Sequence, residues 1–253
     1  MKLDYFDLIS PNPFPILGVG SIKPCTLRDI AALSYRAYST YIALLGISPQ
    51  TYCTQVQPQL NDWYQTLSED DRTMLGMYDI AVSSPGTQVS FSILLDSFFL
   101  ENVRYDPEQD AFLLTKEDGS ITGRIQKNNY SLVCDIILQF NHIDTKTNIN
   151  LAKVKNKKGL ARYMEMQKKK NQARTKPKTD SNLELGNIIS AVCARHNSIN
   201  YTNVWDMTVY QLWDTFARLR SNDVYECGKT AVSVWGDKEH KFDFNSWYKN
   251  ITN

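Results

Sequence analysis

The sequence predicts a mainly α-helical α+β fold: a helical body carrying one small, inserted antiparallel β-meander. Three observations lead there. Apolar residues recur at three- and four-residue spacing behind N-capping signals over most of the chain. Short strand-like runs cluster near residues 102–126, separated by turn residues. A basic segment, residues 153–182, divides an N-terminal apolar region (1–152) from a C-terminal helical region (183–253).

Residues 11–24 are proline-marked and irregular, with Gly18-Val19-Gly20 as a turn. Thr26-Leu27-Arg28-Asp29 reads as a helix start, the Thr26 hydroxyl capping and Asp29 complementing the N-terminal dipole. Leu27, Ile30, Ala31, Tyr35, Tyr38, Ile42 and Leu45 then form one face of a single helix that Gly46 closes. Ser48-Pro49 opens another helical segment, and Ser68-Glu69-Asp70-Asp71 caps one running to about Ala81. Residues 87–100 read as helix, although residues 91–95 also fit a strand. Val103-Arg104-Tyr105, Ala111–Thr115 and Ile121–Ile125 are the strand candidates of the meander. Helical spacing resumes from Tyr130 to Phe140 and from Leu183 to Cys193, ending near His196. Thr208-Val209-Tyr210-Gln211 has the form of a capping box, followed by a stripe of Val209, Leu212, Trp213, Phe216 and Leu219.

The net charge of +1, from 28 Lys+Arg against 27 Asp+Glu, hides a segregation. Residues 153–178 hold eleven basic residues, among them Lys157, Lys158, Lys168, Lys169, Lys170 and Arg174, and only Glu165 against them. That segment carries +10 and the remainder −9. Such a run serves as a solvated connector, as a docking arm for an acidic partner, or as a phosphate-binding element for nucleic acid. Base stacking would have only Tyr163 to use, which ranks nucleic acid below protein as a partner.

The start of the chain, Met1-Lys2-Leu3-Asp4-Tyr5-Phe6-Asp7, lacks the basic-then-apolar pattern of a signal peptide. No uncharged stretch approaches the ~20 apolar residues of a membrane span. The five cysteines are odd in number and widely spaced, as expected of buried thiols. These features predict a soluble chain in the cytoplasm with no membrane partner. Catalytic signatures fail on inspection. Gly228-Lys229-Thr230 ends like a phosphate loop, but the position that needs glycine holds Asp223. Cys193, His196, Cys227 and His240 are permitted zinc ligands without a structural-zinc spacing. The reading is a non-enzyme with no cofactor. Aromatic residues gather toward the C-terminus, and Trp205, Tyr210, Trp213, Trp247 and Tyr248 are the candidate anchors for a protein partner.

Two stretches carry a resemblance. One is Ile22-Lys23-Pro24-Cys25-Thr26-Leu27-Arg28-Asp29-Ile30 with its Tyr-rich continuation to Tyr41. The other is Asn203-Val204-Trp205-Asp206-Met207-Thr208-Val209-Tyr210-Gln211-Leu212-Trp213-Asp214, preceded by Asn187-Ile188-Ile189-Ser190-Ala191. Together they resemble bacteriophage tail-assembly proteins of the baseplate-hub or assembly-chaperone kind. The resemblance implies a non-enzymatic protein that binds other tail or baseplate proteins, in the host cytoplasm or in the virion tail.

Overall fold

Local side-chain chemistry sets most of the helix starts. In the computed structural model, which describes residues 1–143, 183–237 and 240–251, Thr26 and Asp29 form a reciprocal capping box. The Asp29 N–H donates to the Thr26 hydroxyl at 3.1 Å, and the Thr26 N–H donates to the Asp29 carboxylate at 3.0 Å. Two orphan donors of the first turn are thereby satisfied. The Ser34, Ser48, Ser68 and Ser84 hydroxyls cap later helices by accepting from the N–H three residues on, and Ser84 also completes a reciprocal box with Thr87.

The described residues form two compact units. Unit 1 is Met1–Ile143 together with Trp205–Gln211, and unit 2 holds, among the described residues, 183–204 together with 212–237 and 240–251. Residues 144–182, which contain the whole basic segment including Lys157, Lys158, Lys168, Lys169, Lys170 and Arg174, lie outside the described residues.

Unit 1 begins with α1 (Tyr5–Ile9) and a hairpin of β1 (Phe14–Ile16) and β2 (Gly20–Ile22). The proline-marked stretch expected to be irregular thus pairs, Phe14 opposite Ile22. Next come α2 (Leu27–Leu33), α3 (Tyr35–Gly46), α4 (Pro49–Thr51) with a π-turn over Tyr52–Val56, and α5 (Asn61–Thr66). α6 (Glu69–Met74), α7 (Met77–Ala81) and α8 (Pro85–Asp96) follow. Two single helices of the sequence reading are therefore broken. Ser34 takes φ of 82° between α2 and α3, where its hydroxyl restarts the chain by accepting from the Ala37 N–H. Extended Leu75 and Gly76 part α6 from α7, and the Asp79 carboxylate accepts from the Gly76 N–H. Residues 91–95 are helical, inside α8.

The meander forms as expected: β3 (Asn102–Asp106), β4 (Ala111–Thr115) and β5 (Ile121–Ile125) pair antiparallel in sequence order. The architecture is mainly α with two small antiparallel sheets. α8 packs against β3, and α9 (Lys127–Phe140) packs against α3 and α7. Phe98, Phe112, Phe140, Ile136, Ile137, Leu94 and Leu95 are fully buried. At Gly123 a Cβ would stand 2.4 Å from the Val19 carbonyl oxygen and 2.5 Å from that of Gly18. Glycine lets β5 approach the hairpin this closely, and the Arg124 N–H donates to the Gly18 carbonyl at 3.1 Å.

Unit 2 holds α10 (Leu185–Arg195) and most of α11 (Val209–Trp235). Leu185, Ile188, Val192, Val204 and Leu212 are its buried aliphatics. Arg195 pairs with Asp223 of α11. No helix among the described residues is long and apolar enough to cross a membrane.

Candidate interaction surface

The second helix start legible in the sequence is also a reciprocal box. The Gln211 N–H donates to the Thr208 hydroxyl at 3.2 Å, and the Thr208 N–H donates to the Gln211 side-chain oxygen at 3.0 Å. Within unit 1 the two capped stretches clasp each other. The Leu27 N–H donates to the Met207 carbonyl at 2.9 Å, and the Val209 N–H to the Cys25 carbonyl at 3.1 Å. Arg28 adds a fork onto one Asp206 carboxylate oxygen, at 3.0 and 2.7 Å. Burial works against ionisation of Asp29, but the Thr26 N–H and hydroxyl hold its carboxyl below the ordinary range. Within the stretches that carry the family resemblance, residues 25–28 and 206–209 thus pair inside unit 1.

The five predicted anchors separate. Tyr210 is buried in unit 1, its ring 6.5 Å from that of Tyr5 and 5.4 Å from that of His142, which leaves little surface for a partner. Trp205 is half-buried in a 3-10 turn of the same unit. In unit 2, Trp213 is half-buried edge-to-face with Phe216 at 6.2 Å. Trp247 and Tyr248 are adjacent, edge-to-face at 5.0 Å, and 52% and 56% exposed.

What holds Trp247 and Tyr248 is a segment that returns along α11. Gly236, at φ 75°, ends the helix, its N–H donating to the Val232 carbonyl at 2.8 Å. The Asp237 carboxylate accepts from the Phe242 and Lys241 N–H groups, each at 2.9 Å, and these bonds hold its carboxyl below the usual range. Phe242 reaches Gly228 of α11, where a Cβ would stand 2.6 Å from its ring. Its ring lies 5.5 Å from that of Tyr225 and 4.8 Å, edge-to-face, from that of Phe244. The Lys249 ammonium bonds Asp243, lowering that carboxyl, and the Arg218 guanidinium donates to the Lys249 carbonyl at 2.7 Å. Phe244 remains 60% exposed. The result is a strap tied to one helix, presenting Phe244, Trp247 and Tyr248 outward. Phe242 and Phe244 escaped the sequence reading; Gly228 inside a helical stretch was the available signal, because an isolated helical glycine marks close approach.

The residues weighed for chemistry have structural duties. Gly228-Lys229-Thr230 lies inside α11, where backbone N–H groups serve the helix and Lys229 pairs with Glu226 at 2.8 Å. The His196 Nδ1 accepts from the Ser198 and Ile199 N–H groups at 3.2 and 3.1 Å, closing the turn after α10. Burial pushes the Cys25 and Cys134 thiols up to about 12, which keeps them protonated and inert. Cys227 differs from the sequence expectation: it is exposed.

Comparison with known proteins adds one match. The family model described as the YomV second domain, a phage-derived family, matches residues 168–252, about a third of the chain. No curated protein and no solved structure matches it.

Proposed function

We propose that the chain is a non-enzymatic phage assembly protein that binds other tail or baseplate proteins through the strap at the end of unit 2. The observation that carries this reading is the outward trio Phe244, Trp247 and Tyr248, fixed to α11 through Phe242 and Gly228 and lying inside the phage-family match. Aromatic side chains offer large contact area with few torsions to immobilise, and anchoring them on a helix lowers the ordering cost of binding. In this reading the protein works in the host cytoplasm, as an assembly chaperone or as a component retained in the particle, and needs no cofactor.

The test is a pull-down of the tagged full chain from producing cells. Tail or baseplate proteins should be captured by the natural chain and lost with the triple variant F244A/W247A/Y248A. Capture of the same set by both chains would remove the strap from the proposal, and unchanged particle assembly after deletion of the gene would remove the function.

A further inference from the structure

We infer that the clasp is a recognition site that also works between chains: the unit 1 groove of one copy accepts Asp206–Gln211 of a second, and two copies pair by exchanging this segment. The structure shows the occupant and its fit. Thr26 lies opposite Thr208 in an antiparallel bridge, closed on both sides by the Leu27–Met207 and Val209–Cys25 bonds. Arg28 forks onto Asp206, and the Gln211 side-chain amide donates to the Ile9 carbonyl at 2.9 Å. The Tyr210 ring packs on those of Tyr5 and His142. Thr208 and Val209 are 1% and 2% exposed. The groove thus reads a run of defined chemistry: an acid at 206, then Thr, an aliphatic residue, Tyr and an amide at 208–211. Main-chain bonds supply affinity and the side chains selectivity, as in other cases of an extended peptide added to an open backbone edge.

Two observations make the segment exchangeable. None of these contacts uses the 61 residues from 144 to 204, so the groove does not distinguish which chain supplies its occupant. The segment also lies inside the phage-family match at 168–252, whereas Tyr5, Ile9, Cys25, Leu27, Arg28 and His142 all lie outside it. The clasp therefore joins a groove to a segment carried by a different module. Exchanging an identical element conserves every bond of the closed form, and it is a low-cost route to a dimer. Tethered partners meet at an effective concentration of about a millimolar. Closed monomers therefore dominate in dilute solution, and exchanged pairs grow in as the concentration rises. This pairing does not use the strap.

Two full-length variants with reciprocal charges, Arg28→Asp and Asp206→Arg, test this. Each sets like charges across its own clasp, whereas a mixed pair that exchanges segments has opposite charges in both grooves. Produced together in one cell, tagged R28D should capture D206R as a one-to-one dimer. In sedimentation equilibrium that pair should associate roughly tenfold or more tightly than the natural chain with itself, because each of two grooves gains an exposed ion pair and loses a like-charge contact. The double variant R28D/D206R, which reverses the pair within one chain, should self-associate as weakly as the natural chain. Far-UV circular dichroism should be the same for all four chains, since both side chains are exposed. A mixture that associates no more tightly than either single variant alone would overturn the inference. So would capture of the natural chain by R28D as strong as its capture of D206R, since association would then bypass the clasp.

Discussion

α9 and α11 are both amphipathic, yet they use their apolar faces differently. Along the 14 residues of α9, Tyr130, Val133, Cys134, Ile136, Ile137, Leu138 and Phe140 are all buried, on neighbours that include α3 and α7. α11 has 27 residues, and after Leu212 its apolar positions are half-buried or open, up to Trp235 at 79% exposure. Periodicity alone does not distinguish these cases, because it says only that a face exists. The burial of α9 is what a core helix needs, whereas the later turns of α11 keep an apolar face exposed.

Substitutions can sharpen the contrast. The largest loss is expected for Gly123→Ala, whose methyl would meet fixed backbone of Gly18 and Val19 rather than a side chain able to swing aside. A cost of roughly 4 kcal/mol or more, in the range reserved for severe core defects, should appear as a fall in the melting temperature of unit 1 of roughly 8–16 °C. Ile137→Ala, at a fully buried position, should cost about 2–5 kcal/mol in denaturant unfolding. Val224→Ala in α11 should stay within ~0.5 kcal/mol in the dilute chain. If the two aliphatic substitutions cost the same, the contrast between the helices is wrong.

Gly228→Ala sets two effects against each other. Alanine favours the helix by ~1 kcal/mol, while displacing a Phe ring forfeits up to ~1.5–3 kcal/mol of burial. The strap should therefore loosen while α11 stays helical, seen as faster hydrogen exchange over residues 240–249 with unchanged ellipticity. Acidification should act on the same segment. The Asp237 and Asp243 carboxyls are lower in the folded chain, so their contribution to strap docking is present above the unfolded value of about 3.9 and lost as pH falls through the lower folded values. The protection of residues 240–249 relative to the intrinsic amide exchange rate at each pH should fall in that acid window and stay level above it. A small effect is also expected for Arg28→Ala, which removes an exposed pair with Asp206 worth ~0.2–1 kcal/mol in thermal unfolding.

Features written within a few residues were legible. The Thr26–Asp29 and Thr208–Gln211 boxes span four residues each, and the turn residues around Asp118-Gly119 mark the meander. Features completed across the chain were not. The β1–β2 hairpin has strands of only three residues, and its Ile22 bridges to Phe99, a distant partner that no local pattern discloses. Ser34 breaks a continuous apolar periodicity with a backbone angle that serine rarely adopts. At the candidate surface, exposed Trp247 and Tyr248 were legible as aromatics in a polar tail. Tyr210 was not separable from them, because its burial depends on Tyr5 and His142.

The clasp between Cys25–Leu27 and Met207–Val209 has a consequence for synthesis. Unit 1 is discontinuous: after Ile143 the ribosome must make 211 − 143 = 68 further residues before Gln211 exists to complete it. At ~5–20 residues per second, that is a wait of roughly 3–14 s. Until then the Leu27 N–H and the Cys25 carbonyl, which Met207 and Val209 later bond, must be met by water or by another chain.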